Sequence, residues 1–167
     1  MKSLATAYST EQKLQLIRKG ELSAIENLKG FLAVIRKTNR RINAVLHVND
    51  KAIDEAKVVD KKIKAGKAGG LAGLAIMVKS NISVTDLPIT CASKTLENYY
   101  GTFDADVIAR IKAEDGIVIG MANMDEFACG SSGENSAFGA TDNPAAPGKI
   151  PGGRQRMAHY IQQRSAG

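Results

Sequence analysis

The residues of this chain whose types and spacing could perform chemistry are one lysine and a small group of serines. Lys79 directly follows the apolar run Leu74–Val78. The glycine-rich stretch GSSGENSAFG further along contains the serines, Ser131, Ser132 and Ser136. A lysine kept neutral by desolvation can act as a base toward a hydroxyl nucleophile, if a serine lies within hydrogen-bonding reach. A structural interpretation stays open, because a lysine at a strand end commonly extends its amino group into water.

Other kinds of site are not favoured by the sequence. Cys91 and Cys129 form no C-x-x-C pair, so they indicate reduced, partly buried thiols rather than a disulfide scaffold or a zinc site. His47 and His159 have no spaced partners for a metal or a catalytic triad, and GSSGENSAFG lacks the Gly-Lys-Ser/Thr ending of a phosphate loop. We therefore predict no metal site and no cofactor bound by this chain.

The elements before Lys79 are predicted to be mostly helical. The sequences STEQ at 9–12 and SAIE at 23–26 have capping-box form and predict two helix starts. Apolar residues then recur at three- and four-residue steps, which predicts a helix from Ala24 to about Lys37. Residues 41–48 look extended, and a second amphipathic pattern predicts a helix from Ala52 to about Lys64.

The pattern then changes to strand, helix and strand. The run Leu74–Val78 suits a strand buried on both faces. Asp104 is expected to cap a helix that runs to about Ala113, and Asp115 with Gly116 to turn the chain into a second buried strand, Ile117–Gly120. This order predicts an α/β fold with at least part of the sheet parallel. Residues 130–153, rich in Gly, Ser, Asn and Pro, are expected to form a long loop that approaches a ligand.

Composition indicates one globular domain and a change of character near the end. The chain has 167 residues, 44% of them apolar and 24% charged, and no apolar run long enough to cross a membrane. Its first residues lack the apolar centre of a signal peptide, so we expect a cytoplasmic protein. The net charge is +6, but residues 154–167 contain three arginines and no carboxylate and supply half of it. A basic cluster at 36–41 leaves open a small RNA-binding domain, although a solvated helix end explains it equally well.

Three blocks of the sequence resemble the amidase signature family. They are GLAGLAIMVKSNI, then DADVIARIKAEDGIVIGMANMDEFACGSSGENSAFGATDNP, then PGG, in that order and with natural spacing over residues 1–153. Within the family, the MDEFA-x-GSS-x-ENSAFG block is similar to the glutamine-hydrolysing components of tRNA-dependent amidotransferases.

The resemblance implies a fold, a chemistry and partners. The fold is N-terminal helices followed by part, not all, of a mixed β-sheet core, and the chemistry is that of a Ser–cisSer–Lys triad with Lys79 as its lysine. Gly130 and Ser131 fall beside the family's substrate pocket and are the candidate substrate contacts. The expected substrate is glutamine and the expected partners are the B and C subunits of the amidotransferase. ATP and Mg would bind at a partner subunit, which would also make most contacts to the tRNA.

The same resemblance implies that this chain alone is inactive. Arg154 stands where the family places the bridging serine after Pro-Gly-Gly, and the nucleophilic serine would come later still. We therefore expect residues 1–153 to be the N-terminal part of an amidase domain and residues 154–167 to be a divergent tail, out of frame or otherwise foreign. Two alternatives stay open: a fragment of a general small-amide hydrolase, and a non-catalytic α/β module that docks a partner subunit.

Overall fold

The computed structural model of the protein describes residues 8–151, so the predicted tail at 154–167 and His159 lie outside the described residues. Its helices and strands, in chain order, are α1 Thr10–Arg18, α2 Ala24–Ile42, β1 Val45–Val48, α3 Ala52–Lys64, β2 Ala75–Lys79, α4 Asp106–Ala113 and β3 Ile117–Ala122. Short 3-10 turns occupy Lys94–Leu96 and Glu126–Ala128. The predicted α/β class is confirmed.

Both predicted capping boxes are present at the starts of α1 and α2. Ser9 Oγ accepts a hydrogen bond from the Gln12 backbone N–H at 3.2 Å, and the Gln12 side-chain oxygen accepts one from the Ser9 backbone N–H. The predicted end of α2 near Lys37 was wrong, because the helix continues to Ile42. Within this extension the Thr38 hydroxyl donates to the Val34 carbonyl oxygen at 2.8 Å, and Arg40 and Arg41 are good helix formers. Asn43 ends α2 with a left-handed backbone, φ 53°.

The three strands form one mixed sheet in the order β1-β3-β2. Strand β3 lies in the centre, antiparallel to β1 and parallel to β2, so the predicted parallel pairing is confirmed. Every residue of β3 is buried, and β3 extends two residues beyond the predicted Gly120, to Ala122. Burial of β2 on both faces was a wrong prediction, because β2 is an edge strand among the described residues and Ala75, Ile76 and Met77 stay partly exposed.

Each face of the sheet is covered by a different part of the chain. Helices α2 and α3 cover one face through an apolar cluster that includes Leu28, Phe31 and Ile119. Helix α4 and the segment after β2 cover the other face through a cluster that includes Ile108 and Met121. The sheet is therefore a central layer, and the carboxyl ends of its parallel strands stay open to the loops that follow them.

The predicted cap of α4 was wrong. The helix begins at Asp106 with Ala105 at the N-cap position and no side-chain cap. The Asp104 carboxylate instead accepts hydrogen bonds from the Thr85 backbone N–H at 2.8 Å and from Lys112 Nζ. It thus joins the segment after β2 to the last turn of α4 rather than capping the first turn.

Within residues 8–151, no helix combines the length and the apolar character needed to cross a membrane. The same residues contain no group of three or more histidines, cysteines or carboxylates placed to hold a metal ion.

Candidate active site

Lys79 is the last residue of β2, at the carboxyl end of the parallel pair of strands. It is half-buried and lies opposite Ala122, the last residue of β3. The Ser80 backbone N–H then donates to the Ala122 carbonyl oxygen at 3.2 Å, which holds the chain against β3 for one residue more. The backbone of Lys79 is thus fixed by the sheet, as its place after an apolar strand predicts.

A ladder of backbone hydrogen bonds joins the end of β2 to the glycine-rich loop. The Cys91 N–H donates to the Ser80 carbonyl oxygen at 3.0 Å. The Phe127 N–H donates in turn to the Cys91 carbonyl oxygen at 2.9 Å, and the Ala137 N–H donates to the Ala92 carbonyl oxygen at 3.0 Å. Three segments that are distant in sequence therefore meet at the carboxyl edge of the sheet.

The backbone at this junction is strained. Cys91 and Ala92 have φ of 48° and 55°, and Phe127 and Ala128 have φ of 48° and 62°. None is a glycine, so each adopts a left-handed conformation that its Cβ disfavours. Strained backbone of this kind persists where surrounding contacts enforce it and is concentrated at active sites and ligand clamps. The junction is consequently the best candidate for a functional site among the described residues.

The charge of Lys79 influences the pKa of the Cys91 thiol. Burial raises the pKa of the Cys91 thiol, and the positive charge of Lys79 acts in the opposite direction. The Lys79 side chain therefore lies close enough to the 90–93 segment for its charge to be felt there. Whether its amino group is directed at the loop 130–136 stays a prediction.

Asp125 precedes the glycine-rich loop and binds its backbone. The residue is 3% exposed, and its carboxylate accepts hydrogen bonds from the Gly133 N–H at 2.9 and 3.1 Å and from the Asn135 N–H at 3.1 Å. The Asn135 side-chain amide adds a longer contact at 3.4 Å. Burial would raise the pKa of Asp125, but these hydrogen bonds outweigh it and hold the pKa below its usual range.

Two asparagines hold the far end of the same loop. Asn123 Nδ2 donates to the carbonyl oxygens of Asn43 and Gly139 at 2.9 and 3.0 Å. Asn43 Nδ2 also donates to the Gly139 carbonyl oxygen, at 2.9 Å. The end of β3 and the end of α2 are thereby tied to one point of the loop.

The loop residues selected from the sequence differ in exposure. Gly130 is half-buried, and its backbone lies so close to Asp125 that an added Cβ would come within 2.5 Å of the Asp125 Cγ. Ser131 is exposed and Ser132 is half-buried. The hydroxyl of Ser136 accepts a hydrogen bond from the Phe138 N–H at 3.1 Å, so it serves the local turn.

Sequence reasoning missed Asp125 and the two asparagines. Asp125 stands three residues after the last residue of a buried strand, and an acid in that position was a readable signal. The asparagines gave no such signal, because their contacts join residues up to 97 positions apart in the sequence.

Comparison with known proteins shows the family of the chain. Residues 26–153 match the sequence profile of the family Amidase, so the chain belongs to that family.

Individual relatives show which kind of family member the chain is similar to. The chain is 58% identical over 146 residues to the A subunit of glutamyl-tRNA(Gln) amidotransferase from Methanothermobacter thermautotrophicus. It is 51% identical over 144 residues to the protein of the same name from Methanobrevibacter smithii. These alignments cover 86% and 85% of this chain but 32% of each relative, so the chain spans about a third of their length.

Solved structures share the fold. One belongs to an inhibitor-bound vestigial protein complex linked to the origins of an s-triazine catabolic enzyme. It superposes with a TM-score of 0.86 at 31% identity, over 93% of this chain and 35% of its own. A peptide amidase from Stenotrophomonas maltophilia superposes with a TM-score of 0.79 at 24% identity, over 89% of this chain and 32% of its own. The expected fold, part of an amidase signature core, is therefore confirmed.

Proposed function

We propose that the chain is part of the glutamine-hydrolysing component of a tRNA-dependent amidotransferase. The observation that carries this proposal is the junction at the end of β2. Backbone hydrogen bonds there join Ser80, the residue after Lys79, to Cys91 in the strained segment, and they join that segment to Phe127 and Ala137, which flank Gly130 and Ser131. The chain is also 58% identical over 146 residues to the A subunit of such an enzyme.

The proposed roles follow family chemistry. Lys79 would be the base of a Ser–cisSer–Lys triad, relaying a proton through the bridging serine from the nucleophilic serine that attacks the glutamine amide carbon. Gly130 and Ser131 would contact glutamine. Hydrolysis would release ammonia and glutamate, and the ammonia would pass to a partner subunit.

The proposed partners are the B and C subunits. Ammonia would there convert Glu-tRNA(Gln) to Gln-tRNA(Gln), or Asp-tRNA(Asn) to Asn-tRNA(Asn), with ATP and Mg bound by the partner subunit. The tRNA would touch mainly that partner. The expected cytoplasmic location stays a prediction.

The division at Gly153 is also a proposal. Residues 1–153 would be the family segment and residues 154–167 a divergent tail with Arg154 in place of the bridging serine. Residues 1–167 alone should then show no measurable glutaminase, since the loss of triad members removes nearly all of such catalysis. Translating the encoding DNA in its other two frames tests the tail: the absence of a Ser/Gly/Ala-rich continuation in either frame would rule out a frameshift.

The activity is best tested in a chimaera. Residues 1–153 would replace the matching segment of the Methanothermobacter thermautotrophicus relative, and ammonia release from glutamine would be measured with the B and C subunits present. We expect glutaminase activity in the chimaera and a loss of more than about a thousandfold on Lys79→Ala. Lys61→Ala, at an exposed lysine of α3, is the matched control and should keep the activity.

The chimaera also separates the alternatives. An intact chimaera that hydrolyses small aliphatic amides but not glutamine would favour a general amidase. A correctly assembled chimaera whose activity survives Lys79→Ala would overturn the role of Lys79. A chimaera that assembles with its partners but hydrolyses no amide would favour the non-catalytic module.

A further inference from the structure

We propose that Asp125 is a positioning residue that sets the shape of the substrate loop, residues 130–135. This inference rests on the proposed function for its catalytic consequence, but the geometry that supports it does not.

The loop is wrapped around the Asp125 carboxylate. Gly130 packs against the Asp125 side chain at one end of the loop, where a Cβ would come within 2.5 Å of the Asp125 Cγ. The N–H groups of Gly133 and Asn135 donate to its oxygens at the other end. Ser131 lies between these fixed points, so its backbone position depends on a side chain that is itself almost completely buried.

The loop also contacts the backbone beside Asp125. The Glu126 N–H donates to the Asn135 carbonyl oxygen at 3.1 Å, and in the turn before the loop the Ala128 N–H donates to the Asp125 carbonyl oxygen at 2.9 Å. The carboxylate is consequently surrounded by the backbone of residues 130–135. No cation pairs with it among the described residues. N–H groups stabilise its charge, because hydrogen bonds to a charged group are stronger than those between neutral groups.

Replacement by asparagine is the informative change. Asp125→Asn keeps the volume but turns one acceptor oxygen into an NH₂ donor, which then faces the N–H donors of Gly133 or Asn135. The chain also offers a matched control. Asp115, near the other end of β3, is a 5% exposed aspartate that accepts from the Gly69 N–H at 2.9 Å.

The first test is amide hydrogen exchange in the 167-residue chain. Exchange is quenched and read by NMR after the chain is dissolved in an aprotic solvent, so that the self-association expected of this chain does not obscure the resonances. We expect Gly133 and Asn135 to exchange at least about tenfold faster in Asp125→Asn, since tenfold corresponds to about 1.4 kcal/mol. In Asp115→Asn the same two amides should stay within about twofold of the wild type, while Gly69 exchanges faster. Equal acceleration of Gly133 and Asn135 in both variants would overturn the proposal, because it would mean general loosening.

A wild-type titration covers the case in which Asp125→Asn does not fold. The amide resonances of Gly133 and Asn135 should move together with the Asp125 carboxyl ¹³C resonance as that group is protonated. Amide resonances that ignore the carboxyl titration would overturn the proposal.

The second test is kinetic and uses the chimaera with its partner subunits. Asp125→Asn should raise KM for glutamine at least about tenfold while kcat changes less than about threefold, because a misplaced loop binds substrate poorly. Asp115→Asn should leave KM unchanged. A fall in kcat alone, equal in the two variants, would indicate loss of folded protein and contradict the positioning role. If the wild-type chimaera is inactive, the proposed function fails, and hydrogen exchange alone decides the role of Asp125.

Discussion

Lys13 offers the sharpest test of the energetics of this fold. It lies on α1 and is 2% exposed, with its Nζ 4.5 Å from the centre of the Phe31 ring. No carboxylate pairs with it within residues 8–151. Burial lowers the pKa of Lys13, so the folded state disfavours its charged form.

The expected effect of Lys13→Met is stabilisation. Removing a charge from water costs several kcal/mol when burial is complete, whereas the contact with Phe31 returns about 0.5–2 kcal/mol. Methionine keeps an unbranched chain that packs against the same ring. We therefore expect Lys13→Met to raise the free energy of unfolding by about 1–2 kcal/mol at pH 7, a large part of the usual 5–15 kcal/mol.

The stability gained from Lys13→Met should depend on pH. The folded-state pKa of Lys13 lies below the unfolded value of about 10.4, so the wild type gains stability as pH rises through the folded pKa toward that value. The advantage of Lys13→Met should be full at pH 7 and shrink toward pH 10.5. Urea unfolding followed by circular dichroism measures both, with Lys64→Met at an exposed lysine as control. A loss of about 1 kcal/mol or more at pH 7 would refute the reasoning and show that the cation–aromatic contact dominates.

Three further outcomes are expected. Hydrogen bonds outweigh burial to lower the pKa values of Asp115 and Asp125, so each stabilises the fold above pH about 3.9 and loses that effect as pH falls through its folded pKa. The free energies of unfolding of the wild type and of Asp125→Asn, measured with urea, should accordingly differ less at pH 3 than at pH 7. An equal difference at both pH values would contradict this expectation. Lys79→Met should raise the pKa of the Cys91 thiol and slow its alkylation wherever the pH is low enough for Lys79 to carry its charge, as peptide mass spectrometry would show; a rate unchanged from about pH 6 to about pH 9 would mean that Lys79 lies too far from Cys91 for its charge to act. Residues 1–167 alone should self-associate and bind an apolar dye, because β2 has an unpaired edge among the described residues; a monodisperse monomer without dye binding would favour the interaction module.

Local signals in the sequence predicted most of the elements correctly. The two capping boxes depend on residues three positions apart, so they could be read directly. The parallel pairing of β2 and β3 followed from the order strand, helix, strand. Helix α3 has the predicted bounds, Ala52–Lys64, since its apolar positions and its glycine-containing end are both local.

The errors arose where a distant contact decides the outcome. Asp104 looked like a helix cap, but Lys112 and the Thr85 backbone compete for its carboxylate, and neither partner is evident from the residues beside Asp104. The burial of β2 was overestimated because a continuous apolar run does not reveal whether a strand has one neighbour or two. At the candidate site, Lys79 could be proposed from its position after a strand and from the family resemblance, whereas the proposed role of Asp125 depends on the path of the loop around it.

The two buried aspartates near the ends of β3 both accept hydrogen bonds from backbone N–H groups, but they differ in how their charge is balanced. Asp115 binds the Gly69 N–H and is also paired with Lys62, so its charge is balanced by a cation. Asp125 binds only N–H donors, since no cation pairs with it among the described residues. A lysine partner would also stabilise the Asp125 carboxylate, but it would be one flexible contact, whereas the N–H groups of Gly133 and Asn135 tie two points of the loop to the same side chain. Holding the carboxylate through backbone donors is therefore what would fix the path of residues 130–135, as we propose for Asp125.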